Sequence, residues 1–83
     1  MRVLYFASVR ETVGVGEEEV SPPAAVATVD ALIDWLAARS DAHARAFADR
    51  SRLRAAVDGA FVGPDAAVTD AREVALFPPV TGG

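Results

Sequence analysis

The sequence predicts an α+β fold in which a mixed sheet packs on one main helix. Segments that are apolar on both alternating faces lie near each end of the chain, at 2–9 and 73–77. Between them, apolar residues recur at helical spacing over 29–36. The pair Asp58-Gly59, the strongest short hairpin signal in the chain, separates two further apolar runs. The length of 83 residues leaves room for one domain.

The first strand is predicted over 2–9, where both sets of alternating side chains include apolar residues. This pattern is typical of a strand in the middle of a sheet. Gly14 and Gly16 mark a turn, after which residues 17–20 form a short edge strand. Its three glutamates are interpreted as solvated side chains that discourage edge-to-edge aggregation. Pro22-Pro23 ends this strand, because proline cannot donate to the hydrogen-bond ladder.

The main helix is predicted to begin after Thr28, a favourable N-cap, and to run to about Arg39. One stripe of its surface is apolar, formed by Val29, Leu32, Ile33 and Leu36. Asp41 can cap a second, weaker helix. His43 has no second ligand at a useful spacing, so it is interpreted as a surface histidine and no metal site is expected.

The second half of the chain is predicted to form a hairpin followed by a last strand. A strand over 53–57, the Asp58-Gly59 turn and a return strand over 60–62 form the hairpin, because a type I′ turn needs positive φ at both central positions. The last strand, 73–77, stops at Pro78-Pro79. If the first and last strands are both central, they pair in parallel with the helices as the crossover, which is the β-grasp arrangement.

We therefore predict a β-grasp domain over 1–77 and an extended tail over 78–83. The helices can cover only one face of this sheet. Alternation assigns to the covered face Val3, Tyr5, Ala7, Leu53, Ala55, Val57, Val62, Val74 and Leu76. It assigns to the open face Leu4, Phe6, Phe61, Ala75 and Phe77. A contiguous apolar patch of this kind marks a partner surface, unless bulges or loops bury it.

Composition excludes several classes of function. The chain has no cysteine, which rules out disulfides, thiolate zinc sites and iron–sulfur clusters. Its net charge is −4, and all eight basic residues are arginine. An acidic chain without a basic stripe argues against nucleic acid and against anionic membranes. No apolar run approaches the roughly 18–20 residues of a membrane span, so we expect a cytoplasmic protein with no membrane partner.

The end of the chain is suited to entering a narrow channel. Proline stiffens its exit from the sheet, and from Pro78 to Gly83 it can reach roughly 20 Å at about 3.3 Å per residue. Gly82 and Gly83 have no side chains, so they can pass where any other residue would be rejected. The one reactive group at the tip is the carboxylate of Gly83.

Three segments together resemble a known family. The tail Phe77-Pro78-Pro79-Val80-Thr81-Gly82-Gly83 is similar to the end of the small, ubiquitin-like subunits of molybdopterin synthase. The segment 3–11 resembles the first strand of that family, and 53–59 resembles its central hairpin. The resemblance covers essentially the whole chain. One departure is Asp58, where the family often has Asn, and both residues suit the turn.

The resemblance implies a sulfur carrier for molybdenum cofactor synthesis. An E1-like activating enzyme would use ATP to adenylate the Gly83 carboxylate, and a sulfur donor would displace AMP to leave a C-terminal thiocarboxylate. The large subunit of molybdopterin synthase, in an expected heterotetramer, would then take in Pro78, Pro79, Val80, Thr81 and Gly82. Sulfur would pass there to cyclic pyranopterin monophosphate. No permanently bound cofactor is implied.

By the same resemblance, the contact surface includes Phe6, Arg10, Phe61 and Phe77, which agrees with the open face for the three phenylalanines. For Arg10 the alternative is a solvated side chain at the end of the first strand. The chain places no general base near its tail, so it is interpreted as a co-substrate and the noncatalytic half of an enzyme. Two alternatives remain open. One is sulfur carriage for another pathway, such as thiamine synthesis, and the other is a ubiquitin-like protein modifier or interaction module.

Overall fold

The computed structural model describes residues 1–79, and residues 80–83 lie outside the described part of the chain. Nine short elements follow one another within it. In chain order they are β1 (Arg2–Tyr5), α1 (Ala7–Val13), β2 (Glu17–Glu19), α2 (Val29–Ala37), α3 (Asp41–Ala46), a 3₁₀ turn (Arg50–Arg52), β3 (Arg54–Val57), β4 (Ala60–Val62) and β5 (Glu73–Phe77).

The strands form one mixed sheet in the order β2-β1-β5-β3-β4. The first and last strands, β1 and β5, lie side by side and in parallel, with Val3 opposite Val74 and Tyr5 opposite Leu76. The other three pairings are antiparallel. This topology confirms the predicted β-grasp fold. Because β5 lies between β1 and β3, the chain leaves the sheet at Phe77 from a central strand.

The core lies between α2 and the sheet. Thr28 caps α2 as predicted, since its hydroxyl accepts from the backbone N–H of Ala31 at 3.1 Å. The buried apolar side chains of the helix and of the central strands include Val3, Tyr5, Val29, Leu32, Ile33, Leu36, Ala55, Val74 and Leu76. The alternation of burial along β5 follows the period of two expected for a strand with one covered face.

The first strand is shorter than predicted. It ends at Tyr5, and residues 7–13 form α1 instead of continuing the sheet to Val9. Ala7, predicted to face the core, is exposed with φ of 51°, in the left-handed region that L-residues rarely adopt. Val9 is nevertheless buried, because it lies on the side of α1 that faces the core. Gly14 closes the helix at φ of 97°.

His43 is buried, which corrects its interpretation as a surface residue. Its Nε2 donates to the Glu18 carboxylate at 2.6 Å, and its Nδ1 lies 2.7 Å from the hydroxyl of Ser40. The hydroxyl of Tyr5 donates to the same Glu18 oxygen at 2.8 Å. We call these four residues the buried polar cluster. It ties α3 to the edge strand β2 and to the central strand β1.

The buried polar cluster changes the acidity of its members. Burial by itself would raise the pKa of Glu18. Hydrogen bonds from His43 and Tyr5, together with the positive charges of His43 and Arg39, lower this pKa by more than burial raises it. The pKa of Glu18 is therefore below its ordinary value. Burial, followed by the hydrogen bond to Glu18, raises the pKa of Tyr5. Glu18 is therefore an ionised acceptor at neutral pH, whereas the glutamates on either side of it are solvated as predicted.

Several element boundaries differ from the predicted ones by one or two residues. Helix α2 ends at Ala37 instead of about Arg39, and β3 begins at Arg54 instead of Leu53. Ser40, not Asp41, caps α3, since its hydroxyl accepts from the backbone N–H of His43. Within residues 1–79, no helix has the length and apolarity needed to cross a bilayer.

Candidate functional site

Three aromatic side chains lie on the face of the sheet opposite the helices, where alternation placed them. Phe61 is 82% exposed, Phe6 is 47% exposed and Phe77 is half-buried. The rings of Phe61 and Phe77 are 5.7 Å apart at an interplanar angle of 53°. We call Phe6, Phe61 and Phe77 the phenylalanine face. Exposed aromatic rings of this kind on one surface are typical of the anchors that dominate protein–protein binding.

Strand register explains why these side chains meet. Phe61 lies opposite Ala56 on β3, and Ala56 lies opposite Ala75 on β5, two residues before Phe77. A shallow, mainly apolar cavity of about 240 Å³ lies beside the rings of Phe61 and Phe77, and its lining is completed by Arg54, Ala55 and Val62. It could receive one side chain of a partner.

Phe6 joins this face from the other side of β5. It follows Tyr5, the last residue of β1, and its backbone N–H donates to the carbonyl of Leu76 at 3.2 Å. Its extended backbone (φ −126°, ψ 156°) keeps it in the plane of the sheet, and the chain turns away only at Ala7. The corner at Ala7 therefore leaves the Phe6 ring uncovered beside the end of β5.

Arg10 lies on α1, four residues after Phe6, and is exposed. Its guanidinium packs against the turn at Gly16, where an added Cβ would lie 3.2 Å from the Arg10 Cζ. Among residues 1–79, Arg10 makes no ion pair with an acidic side chain. Its charge is therefore available to a partner, as its predicted role in the contact surface requires.

The base of the tail lies beside the phenylalanine face. Pro78 and Pro79 follow β5 without regular structure and are half-buried. Pro78 also borders a small cavity formed by α1 and the segment around the 3₁₀ turn. The other predicted tail residues, Val80, Thr81, Gly82 and Gly83, lie outside the described residues.

The described part of the site presents apolar and charged groups that can contact another protein. Between residues 1 and 79, no three His, Asp or Glu side chains converge as a metal site would require. The one histidine is occupied within the buried polar cluster. What the arrangement offers a partner is an apolar face, a free guanidinium and a chain that leaves from the middle of the sheet.

Comparison with known proteins identifies the family. The model of the ThiS family matches residues 3–83, which is nearly the entire chain. The chain belongs to the ThiS family.

Two relatives of this ThiS-family protein share one name with each other. The chain is 49% identical to the molybdopterin synthase sulfur carrier subunit of Escherichia coli K12, over 100% of this chain and 99% of that protein. It is 35% identical to the subunit of the same name in Haemophilus influenzae, with the same coverage. The resemblance noted in the sequence is thereby confirmed.

Two solved structures share the fold of this ThiS-family protein. SAMP1 from Haloferax volcanii superposes with a TM-score of 0.75 at 30% identity, covering 100% of this chain and 98% of that one. A putative molybdopterin converting factor subunit 1 from Pyrococcus furiosus gives a TM-score of 0.74 at 34% identity, covering 95% of each chain. The β-grasp, ubiquitin-like fold is therefore shared along the whole domain.

Sequence reasoning missed the polar surface beside the tail. Because residues 7–9 were predicted as strand, nothing indicated that Ser8 and Thr12 would lie on one helix face near Pro78. A helix of seven residues shows too little periodicity to be told from a strand.

Proposed function

We propose that this protein is the sulfur carrier of molybdenum cofactor synthesis and acts through the carboxyl group of Gly83. The observation that carries the proposal is the 49% identity to a sulfur carrier subunit of molybdopterin synthase over essentially both full lengths. The family match extends to residue 83, so it includes the tail. A β-grasp body with an uncovered aromatic face and a central last strand fits a carrier that docks by its body and delivers by its tail.

Activation has to come from another enzyme, because a carboxylate is a poor electrophile. In the proposed cycle, an E1-like enzyme directs a Gly83 carboxylate oxygen at the α-phosphorus of ATP, which forms an acyl adenylate and releases pyrophosphate. A sulfur donor then supplies the sulfur as hydrosulfide, HS⁻, so that no donor group stays attached to the sulfur. The new C–S bond forms as the C–O bond to AMP breaks, which leaves the C-terminal thiocarboxylate.

Delivery takes place in the large subunit of molybdopterin synthase, in a heterotetramer of two small and two large subunits. The phenylalanine face and Arg10 contact the large subunit, and residues 78–83 enter its channel. Holding the tip beside cyclic pyranopterin monophosphate makes sulfur transfer nearly unimolecular. The carrier is a co-substrate of this cytoplasmic reaction and needs no bound cofactor of its own.

The decisive experiment follows the mass of the intact protein. Incubation with the activating enzyme, ATP and a sulfur source should raise the mass by about 16 Da, since one oxygen is replaced by sulfur. The modified protein, mixed with the large subunit, should then convert cyclic pyranopterin monophosphate to the dithiolene product. The matched control is the protein lacking Gly83, which should unfold at the same urea concentration but deliver no sulfur.

Each contrary result has a definite meaning. No mass increase would contradict sulfur carriage and favour an interaction module. A thiocarboxylate that forms but does not react with the pterin precursor would indicate a carrier for another pathway, such as thiamine synthesis. Full sulfur transfer by the shortened protein would contradict the role of Gly83.

A further inference from the structure

A polar cavity, separate from the phenylalanine face, lies at the base of the tail. Here a cavity of about 190 Å³ is bounded by α1 on one side and by the end of α3 and the 3₁₀ turn on the other. Ser8 and Thr12 line it from α1, Arg45 and Arg52 line it from the opposite side, and Pro78 forms its rim. We call this cavity the tail-base site.

The two arginines of the tail-base site have no acidic partner within residues 1–79. Arg50, which lies between them in sequence, differs, since it pairs with both Asp30 and Asp34 on α2. Both unpaired arginines are exposed. Two arginines without an ion pair thus line one small cavity, whereas the chain as a whole has a net charge of −4.

One carboxylate also borders the tail-base site, but it is engaged elsewhere. Asp49 accepts from the backbone N–H of Ser51 at 3.1 Å and from the Ser51 hydroxyl at 2.5 Å. It lies farther than 4 Å from every arginine nitrogen in the described part of the chain. Asp49 therefore closes its own turn and forms no ion pair with Arg45 or Arg52, and the charged side chains that line the cavity have a net charge of +1 (two arginines and one aspartate).

The groups around the cavity suit a carboxylate ligand. Guanidinium groups present several donors that match the two oxygens of a carboxylate, and hydroxyls can add further donors. Ser8 and Thr12 are four residues apart on α1, so they lie on the same side of that helix. The tail-base site thus has hydroxyl donors on the α1 side and guanidinium donors on the opposite side.

The position of the cavity indicates which molecule supplies the carboxylate. Any channel that receives the tail must have its mouth against the residues around Pro78, since the tail starts there. An acidic side chain on that mouth would meet the tail-base site as the tail enters. Complementary charges at such a rim accelerate association and fix the orientation of the two proteins.

We propose that Arg45 and Arg52 bind an aspartate or glutamate side chain at the mouth of the tail channel in the large synthase subunit. The inference rests on the proposed function, because it identifies the receiving protein with that subunit. It adds a charged contact to the apolar one made by the phenylalanine face. The two contacts would hold the body on two sides of the departing tail.

The test compares two sets of charge removals. The test variant combines Arg45→Gln with Arg52→Gln, and the control variant is Arg72→Gln. Arg72 is exposed, lies just before the start of β5, far along the strand from Pro78, and forms no ion pair in the described residues. Glutamine is used because lysine would add an amine that an activated carboxylate could acylate. Binding to the purified large subunit is measured by calorimetry over a range of salt concentrations.

We expect the double variant to bind about tenfold more weakly at low salt, with a shallower dependence of log Kd on log salt. The Arg72→Gln control should match the wild type in both quantities. The single variants Arg45→Gln and Arg52→Gln should each show part of the loss, which keeps the test valid if the double variant folds poorly.

Four results would overturn the inference. They are a wild-type affinity that does not fall with salt, unchanged affinity in the double variant, an equal loss in the Arg72→Gln control, and a loss of binding confined to the activating enzyme. If the wild type forms no thiocarboxylate or does not bind the large subunit, the proposed function fails and this inference with it. If sulfur transfer is intact but the charge removals have no effect, the inference alone fails.

Discussion

Replacing Phe61 with alanine tests whether the phenylalanine face is the surface that a partner covers. The side chain is 82% exposed, so the isolated domain gains little from it. Its main intramolecular contact is the ring of Phe77 at 5.7 Å, a pair worth about 0.5–1.5 kcal/mol at most. We therefore expect Phe61→Ala to lower the free energy of unfolding by no more than about 1.5 kcal/mol.

The expected effect on binding is larger. A phenylalanine buries roughly 150–250 Å², so covering the exposed part of Phe61 removes about 150 Å² of apolar surface from water. At about 25 cal/mol per Å², this contributes about 3–4 kcal/mol. Alanine retains a small part of that area, which leaves an expected loss of about 2–3 kcal/mol, or about 30- to 150-fold in Kd.

Calorimetric titration with the large synthase subunit measures the change in Kd, and urea unfolding of the free protein measures the change in stability. Val15→Ala is the matched control, because Val15 is also exposed, at 46%, but lies in the turn before β2. A Kd for Phe61→Ala within threefold of the wild type would refute the assignment of this face. Marked unfolding of the variant would instead show that the ring supports the core.

Three further predictions concern the body of the domain. His43→Ala removes the hydrogen bonds to Glu18 and Ser40 from a buried position, so urea denaturation should show a loss of about 2–3 kcal/mol; a loss below about 0.5 kcal/mol would contradict the importance of the cluster. Because the folded-state pKa of Glu18 is lowered, its contribution is present above the ordinary glutamate pKa of about 4.3 and is lost as the pH falls through the folded value. The urea midpoint should therefore fall less steeply with acid in Glu18→Gln than in the wild type, and parallel curves would contradict this. Ala7→Gly should raise the melting temperature, with a gain of up to about 1 kcal/mol, because glycine adopts positive φ without strain; a lower melting temperature would show that the corner is not strained.

The topology could be predicted because its signals are local and strong. The Asp58-Gly59 pair gives the hairpin, with φ of 48° and 86° at the two positions. The cap at Thr28 gives the start of the helix, and Pro78 marks the end of the last strand. Each of these features acts within a few residues, so the sequence shows it directly.

The exposure of the phenylalanine face was also predictable, because alternation in a strand has a fixed period. The corner at Ala7 was not. The apolar alternation of β1 continues through Val9, although the chain has already turned into a helix. A positive φ is normally indicated by glycine, and position 7 is an alanine. The local sequence therefore does not indicate that the strand ends and a helix begins at this residue.

The burial of His43 could not be predicted for a different reason. Its partner Glu18 is 25 residues away in sequence, on an edge strand that looked fully solvated. Contacts between distant residues depend on the packing of α3 against the sheet, which no short pattern reports. The tail-base site was hidden in the same way, because Arg45 and Ser8 line one cavity only through the packing of α3 on α1.

The central position of β5 also determines how the domain responds to a pull on its tail. Strand β5 is hydrogen-bonded along both edges, to β1 in parallel and to β3 in antiparallel orientation. A force applied at Pro78 acts along the strand axis, so it loads both rows of hydrogen bonds together in shear. Peeling would break them one at a time, whereas shear requires many to yield at once. A partner can therefore draw the tail taut without unravelling the body that it is attached to.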